Sequence, residues 1–376
     1  MRGSRSLSVL GATVLVAGAA VVGSTGPATA AGGWTTRPLL SGLNAPRGIA
    51  FDSAGSMYVA EAGKTGSGNV GVTRTGSVRK YAPAGSGWVA RWRTAFTSIY
   101  SGENGQADAL GPAGVSASGN EVRMLLSANH DQIYRDAGVE VKQIGYLYRL
   151  APGNGAAAGV ADVGDQTFAW TGSHRKLWSE FPDANPYGVL ITKGANGATR
   201  TFVADAGANT IHELMADGSL QLVSYIPNET APGTRDATPT CIALGPDGML
   251  YVGALDLEVN FAKKGHQSKV WKVNPNSRNW AHNATVWASG FTTITSCTFD
   301  RGGNFWAAEM FFPNASGPPG DLAVAPFAHP TAIQHIGGGR IALPGGIAQG
   351  KDGAMYVTTG SAAPNGQGGV MKVSRS

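Results

Sequence analysis

The chain has 376 residues, of which 42% are hydrophobic and 14% are charged, and its formal net charge at pH 7 is +5. A charge this close to balance, without clusters of basic residues, does not predict binding to nucleic acid or to an anionic membrane surface. The 55 glycines and 20 prolines stay below the level at which composition alone indicates disorder. Composition therefore predicts one large globular domain.

The first 30 residues predict a secretory signal peptide. Arg2 and Arg5 give a basic start, residues 7–22 are apolar, and Ala28-Thr29-Ala30 has the small residues of a cleavage site. The apolar run is too short and too rich in Ala and Gly to span a membrane comfortably, and no other such run exists. We expect cleavage after Ala30, a secreted or extracytoplasmic protein of residues 31–376, and no membrane span.

Residues 43–61, LNAPRGIAFDSAGSMYVAE, contain the unit that the chain repeats. Gly48-Ile49-Ala50-Phe51 is a short apolar run, residues 52–55 have turn chemistry, and Met57-Tyr58-Val59-Ala60 is a second run of strand formers. This pattern is typical of a β-hairpin.

Six copies of the hairpin predict an all-β protein, a six-bladed β-propeller. The copies begin near residues 46, 112, 186, 239, 295 and 344, and further strand-like segments follow each copy. Four antiparallel strands in a unit repeated every 50 to 78 residues indicate propeller blades. A degenerate seventh blade is the alternative, but residues 151–184 contain no further hairpin phrase.

The two ends of the chain predict how the ring closes. The last unit ends at Ser376 after its third strand, whereas residues 35–40 form a strand-like segment ahead of the first hairpin. We expect this amino-terminal strand to pair into the last blade, because the pairing removes an open sheet edge.

Cys241 and Cys297 are the only cysteines, and a disulfide is common in a secreted chain. Aligning the hairpins places Cys241 level with Gly48 and Cys297 level with Ile49, on the first strands of neighbouring blades. An offset of one residue directs the side chains to opposite sheet faces, which argues against a bond. A disulfide and two small residues packed near the axis stay open as alternatives.

Long loops are predicted on one face of the ring, which we call the loop-rich face. It receives the loops that follow the second strands and those that precede the first strands. These loops are residues 62–75, 101–111, 130–145, 161–184, 228–238, 255–267 and 310–319. Binding sites usually lie on such loops.

Polar residues near the ends of the second strands predict a metal site at the channel mouth. They are Glu61, Asn129, Asp205, Asp256 and Glu309, with Thr359 in the sixth blade. Several oxygen ligands around a channel would suit Ca²⁺ or another divalent cation. The competing interpretation, which we favour, is that these side chains accept backbone N–H groups of the next turn.

His130 and Asn209 complete the predicted ligand-binding set at the channel mouth. His130, like His174 and His266, lies in a predicted loop and can act as an acid or base if it reaches the channel. A solvated loop histidine is the simpler interpretation.

Segments 183–190 and 203–209, DANPYGVL and VADAGAN, resemble a phrase of the ScyD/ScyE family, and residues 45–52 and 111–115 resemble that family's repeats. The resemblance covers most of residues 39–373. It implies a secreted NHL-like propeller with no settled activity or active-site residues.

The chain also resembles gluconolactonase-like propellers, which hold one divalent metal through a Glu, an Asp and Asn residues. Glu61 matches the glutamate by position and Asp256 can match the aspartate, but Asp205 stands where an amide is expected. Streptogramin-lyase-like propellers share the hairpin pattern, although their catalytic histidine has no counterpart here.

Two functions follow from these observations. We expect a monomeric binding or scaffold protein that holds a small molecule, a glycan or a protein on the loop-rich face. The alternative is a metal-dependent lactonase, another hydrolase or a lyase that uses the carboxylate ring. The first is preferred because the carboxylates have a structural explanation and no acid–base pair is evident in the sequence.

Overall fold

Six antiparallel sheets make up the protein, in agreement with the predicted six-bladed propeller. The structure is a computed structural model that describes residues 28–30, 33–66, 70–85, 87–101, 108–194, 196–228, 236–312 and 319–376. Residues 1–27 of the predicted signal peptide lie outside the described residues. No helix in the described part of the chain is long and apolar enough to cross a membrane.

The strands follow one another blade by blade. Two precede the first hairpin, β1 (Ala28–Ala30) and β2 (Trp34–Leu43). The first blade contains β3 (Pro46–Phe51), β4 (Met57–Glu61), β5 (Gly71–Ala84), β6 (Gly87–Ser101) and a short fifth strand, β7 (Asp108–Leu110). The second contains β8 (Pro112–Ser118), β9 (Glu121–Leu126), β10 (Tyr146–Leu150) and β11 (Ala157–Asp162).

The third blade contains β12 (Pro186–Lys193), β13 (Thr199–Asp205), β14 (Thr210–Leu214) and β15 (Leu220–Tyr225). The fourth contains β16 (Pro239–Leu244), β17 (Leu250–Ala254), β18 (Ser268–Val273) and β19 (Ala284–Phe291). The fifth contains β20 (Ile294–Phe299), β21 (Asn304–Glu309), β22 (Asp321–Pro326) and β23 (Gln334–His335), and the sixth contains β24 (Ile347–Gln349), β25 (Met355–Thr359) and β26 (Gly368–Arg375).

In the described part of the chain, three helices lie outside the sheets. They are α1 (His130–Ala137), α2 (Val163–Ser173) and α3 (Leu257–Lys263), and a 3₁₀ turn covers Trp280–His282. Both α1 and α3 follow a second strand, so they belong to the loop-rich face. Helix α2 follows the last strand of the second blade.

The amino-terminal strand closes the ring, as predicted. Strand β2 pairs antiparallel with β26, from Trp34 opposite Arg375 to Leu43 opposite Gly368. Trp34 also packs edge-on against Trp306 of the fifth blade, with the ring centroids 5.1 Å apart. The last blade is therefore built from both ends of the domain, and its sheet does not end on the bare edge of β26.

A hydrogen bond explains why the hairpin repeat carries an aspartate in its turn and an aromatic residue in its second strand. The aromatic side chain of the second strand donates a hydrogen bond to the turn carboxylate in four blades. The pairs are Tyr58–Asp52 (2.9 Å), Tyr251–Asp247 (3.0 Å), Trp306–Asp300 (2.9 Å) and Tyr356–Asp352 (2.9 Å). This bond fixes the turn to its own sheet, and the aromatic ring fills the wide part of the wedge between blades.

The first strands approach each other closely around the axis. A Cβ atom added at Gly48 would lie 2.3 Å from the carbonyl oxygen of Ala113 in the next blade, and one at Gly114 would lie 2.6 Å from that of Tyr187. Only glycine fits there, because the neighbouring backbone occupies the place of a side chain.

The same geometry joins Cys241 and Cys297 in a disulfide, with the two Cα atoms 5.6 Å apart. Cys241 takes the place of Gly48 in its blade and points toward the following blade, whereas Cys297 lies one position later and points back. The argument from the one-residue offset was therefore wrong. Side chains on opposite faces of their own sheets meet when two sheets stack face to face.

We expect the double variant Cys241→Ala/Cys297→Ala to fold but to lose about 2–4 kcal/mol of unfolding free energy, because the bridge closes a long loop in the unfolded chain. Thermal and denaturant unfolding would measure the loss. A reductant should lower the melting temperature of the wild type and leave that of the double variant unchanged. Equal sensitivity of both proteins to reductant would contradict this expectation.

Candidate functional site

Carboxylates near the ends of the second strands accept backbone N–H groups at the entrance to the first strands. The distances are 2.9 Å from Asn44 N to Glu61, 2.7 Å from Asn185 N to Asp205, and 2.7 Å from Thr292 N to Glu309. Each bond ties the loop that enters a blade to the strand beside it. This arrangement is the structural alternative considered for these residues.

Two of these carboxylates have further partners. Glu61 accepts a hydrogen bond from Ser77 (2.8 Å) and forms an ion pair with Arg79 at 2.5 Å. Asp256 lies just ahead of α3 and has a left-handed backbone, with a φ of 47°. Its carboxylate accepts the N–H of Lys269 at 2.9 Å.

Asn129 does not end a strand. Leu126 occupies the position level with Glu61, and Asn129 caps α1 three residues later by accepting the N–H of Gln132 at 2.7 Å. Asn209, with a φ of 55°, donates to Asn228 and Asp236 and accepts the N–H of Thr238. Both amides thus organise loops on the loop-rich face.

Among the described residues, the central channel is lined by the first strands of all six blades and by none of the seven residues predicted at its mouth. Glu61, Asp205 and Glu309 sit at the ends of second strands, and the first strands separate them from the axis. The carboxylates of the predicted ring are also not gathered at one point. In the part of the chain that the structure describes, His130, Asp131 and Asp165 form the one group of three metal-ligating side chains whose ligand atoms lie within 4.8 Å of one another.

The His130 group lies where the amino termini of α1 and α2 meet. His130 Nδ1 is 3.1 Å from Asp131 and 3.8 Å from Asp165, and its Nε2 is 3.1 Å from Glu140. The hydrogen bond to Glu140 raises the pKa of His130 above its ordinary value, against the effect of partial burial. The carboxylates therefore favour a positive charge at this point, either an imidazolium or a cation.

β-Bulges place a different set of side chains at the loop-rich end of the channel. In five blades the register shifts just after the first residue of the first strand, which inserts one extra residue there. In four of these blades the bulge residues are Arg47, Tyr187, Thr240 and Thr295, and all four line a small cavity at the end of the channel together with Leu255, Met310, Ser361 and Ala362.

Arg47 is the charged member of this set and was not predicted as a site residue. Its side chain is buried, it donates to Asp108 at 2.7 Å, and its guanidinium lies 5.9 Å from the ring centroid of Tyr187. It also lines the channel, whose volume is about 390 Å³. An alignment of the hairpins could have revealed Arg47. The position that follows Pro46, or its counterpart in another hairpin, holds a charged residue only in the first copy.

His335 is the second residue that the sequence did not reveal. Its Nδ1 lies 3.2 Å from Oε2 of the fully buried Glu309, an electrostatic contact that is not aligned as a hydrogen bond. Burial alone would lower the pKa of His335, but the contact with Glu309 and the charges of Glu309 and Asp321 raise it above its ordinary value. Strand β23 contains only two residues, which is too short for a pattern to predict.

Three carboxyl groups of the third blade and its loops have raised pKa values. Burial raises the pKa of Asp205 to about 7 and those of Asp183 and Asp236 to about 6. Oδ1 of Asp205 accepts three backbone N–H groups, whereas its buried Oδ2 has no hydrogen-bond partner among the described residues. The folded state therefore favours the protonated form of Asp205.

Comparisons with known proteins support the fold. No protein-family model matches the chain, and no curated protein sequence matches it either. Among solved structures, the PQQ domain of pyranose dehydrogenase from Coprinopsis cinerea matches with a TM-score of 0.54 at 13% identity, over 92% of this chain and 96% of that one. A calcium structure of a family AA12 carbohydrate-active enzyme from Trichoderma reesei matches with a TM-score of 0.53 at 12% identity, over 94% and 98%.

A streptogramin B lyase is also similar, with a TM-score of 0.46 at 14% identity over 91% of this chain and 98% of that one. At these identities the similarities show the architecture alone, a six-bladed propeller. The comparisons found no sequence support for the ScyD/ScyE family in particular.

We expect the stability of the protein to fall as the pH rises from about 4 to about 7, and Asp205→Asn to reduce that fall. A carboxyl whose pKa is raised on folding stabilises the protein below its unfolded pKa, and this contribution is lost as the pH rises through the folded value. Thermal unfolding between pH 4 and 8 would measure both proteins. Asp217→Asn, at a fully exposed carboxyl, is the matched control, and curves that run parallel for wild type and Asp205→Asn would contradict the expectation.

Proposed function

We propose that the protein is an extracytoplasmic binding propeller that holds a small anionic molecule at the axis, below Arg47. The observation that supports the proposal is the burial of this arginine between the channel and the cavity on the loop-rich side. A buried guanidinium needs anionic or carbonyl partners for its five N–H groups. Among the described residues, Asp108 is the one hydrogen-bond acceptor that Arg47 has.

Asp108 can be exchanged for another anion. Its side chain is 33% exposed, whereas that of Arg47 is 4% exposed, so the carboxylate can turn into solvent while the guanidinium stays in place. An incoming carboxylate would form the paired hydrogen bonds that arginine makes with planar anions. A channel of about 390 Å³ lies in the size range of small-molecule sites.

We expect Arg47→Met to weaken the binding of small carboxylates by at least about 10-fold, because a charge-assisted hydrogen bond contributes roughly 1.5–3 kcal/mol. Asp108→Asn should strengthen binding several-fold, since it removes the competing carboxylate. Titration calorimetry with acetate, succinate and citrate would measure both effects. Arg301→Met is the matched control, because Arg301 lines the same channel but donates to the backbone of Gly350 and Lys351. Wild type that binds none of the three anions, or an equal loss in the control, would rule out the site.

The proposed location outside the cytoplasm is supported by the disulfide Cys241–Cys297, since such bonds persist mainly in oxidising compartments. The signal-like sequence of residues 1–30 supports the same location.

A divalent cation, Ca²⁺ or another, is a second candidate ligand, and the grouping of His130, Asp131 and Asp165 favours it. We expect added cation to raise the melting temperature by mass action and a chelator to reverse the rise. His130→Ala should abolish the response, and His174→Ala is the matched control. If Glu61→Gln abolishes the response instead, the predicted ring around Glu61 holds the cation, and an unchanged melting curve in the wild type excludes both sites.

A further inference from the structure

The channel around the axis is closed at its loop-rich end. Beyond Arg47 there is a cavity of about 20 Å³, which has room for one water molecule. Leu255 and Met310 line this cavity and belong to a buried apolar cluster on the loop-rich face. The other members of the cluster are Leu257, Phe311, Leu343 and Ala363. The cluster therefore separates Arg47 from the solvent on that face.

The opposite end of the channel is open. Leu244, the last residue of β16, lines the channel and is 40% exposed. Phe51, Phe299 and Gln349 end β3, β20 and β24, and they also line the channel and are partly exposed. These residues precede the hairpin turns, which lie on the face away from the long loops, here called the turn face. The channel is therefore a blind tube that opens on the turn face and has Arg47 at its inner end.

Main-chain groups line this tube. Each first strand lies at one edge of its sheet, so alternate N–H and C=O groups point away from the second strand. Two such N–H groups, those of Ile191 and Ile347, donate to serine hydroxyls of the preceding blade. Gly48, Gly114 and Gly188 line the channel, and a glycine can do so only with main-chain atoms. The wall therefore presents main-chain hydrogen-bonding groups to whatever enters.

We propose that the tube binds the carboxyl terminus of an extended peptide, which enters from the turn face and places its terminal carboxylate on Arg47. The inference rests on the anion site proposed above and names the class of its ligand. An extended peptide carries the N–H and C=O groups that complement an unpaired strand edge. An arginine recognises the terminal carboxylate by paired hydrogen bonds.

The shape of the tube favours a chain end. Because Arg47 lies at the closed end, a carboxylate within a continuing chain cannot reach it, whereas the last residue of a chain can. Arg47 and Phe51 are four residues apart on β3, so the tube is about 13 Å long and holds about four residues of extended peptide.

A linear alkyl carboxylate is the competing ligand. Its carboxylate would satisfy Arg47 equally well, but its chain would cover the main-chain groups of the wall without bonding to them. Each polar group that loses water in this way and gains no partner costs free energy. The main-chain lining therefore favours the peptide.

Titration calorimetry with short carboxylates tests the ligand class. We expect N-acetyl-tetraalanine to bind at least about 10-fold more tightly than acetate, because several backbone hydrogen bonds add to the ion pair. Its carboxyl-terminal amide should bind at least about 10-fold more weakly than the free acid, since the neutral amide loses the charge-assisted bonds to Arg47. Octanoate, which has a comparable length and no amide groups, should bind more weakly than N-acetyl-tetraalanine.

A bulky side chain at the open end tests the route of entry. Leu244→Trp should lower the association rate constant of N-acetyl-tetraalanine at least about 10-fold, because the indole narrows the mouth through which the peptide must pass. Stopped-flow mixing would measure the rate. Val286→Trp is the matched control, since Val286 is 48% exposed on β19 and is not among the described residues that line the channel. Melting curves would show that both variants fold.

Four results would overturn the proposal. They are equal affinities for N-acetyl-tetraalanine and acetate, equal affinities for the acid and its amide, tighter binding of octanoate than of the peptide, and an unchanged association rate in Leu244→Trp. If the first result is found while acetate binding still depends on Arg47, the anion site stands and the peptide ligand is excluded. If the wild type binds neither probe, both are excluded. The comparison of acid and amide uses the wild type alone, so it decides the question even if a variant does not fold.

Discussion

The close approach of six first strands around one axis is the constraint on which the rest of the structure depends. Backbone lies so near backbone that Gly48 and Gly114 leave no room for a Cβ atom. Where a blade has a cysteine in that place, the next blade supplies the second cysteine, and a covalent bond replaces the close contact. Because the first strands pack this tightly, the side chains that reach the end of the channel belong to bulge residues, which leave the regular pairing between first and second strands.

The bulge at the start of the first strand therefore connects fold and function. Five blades have an extra residue there, and in four of them its side chain lines the cavity at the end of the channel, so the identities of these four residues set the chemistry of that cavity. Two of them, Thr240 and Thr295, donate their hydroxyl hydrogens to backbone carbonyls and so join neighbouring blades. Arg47 is the exception, because among the described residues its charge is balanced by the carboxylate of Asp108 alone, which is 33% exposed.

The sequence predicted the fold well because the hairpin phrase is local and repeated. Its turn aspartate and aromatic residue contact each other within one blade, so the sequence of each copy is sufficient to predict its own hairpin. Contacts between blades were harder to predict. The offset of Cys241 and Cys297 was misread because it was judged within one sheet, and the bulge of Arg47 leaves no mark in the pattern of apolar residues. Asn129 was aligned with strand ends because the loop after β9 is short before it turns into α1.

The carboxylates at the ends of the second strands share one structural role, which uses one oxygen of each group and leaves the other for a different contact. Glu61, Asp205 and Glu309 all accept a backbone N–H at the entrance to a first strand, and this bond occupies one oxygen of each group. The other oxygen is free to differ between blades. In Glu61 it is balanced by Arg79, in Asp205 it is buried and the burial raises the pKa of the group, and in Glu309 it faces the partly exposed imidazole of His335. Glu309 differs from the other two because its second oxygen lies 3.2 Å from Nδ1 of the partly exposed His335, so in the fifth blade a buried carboxyl group contacts an imidazole that solvent reaches.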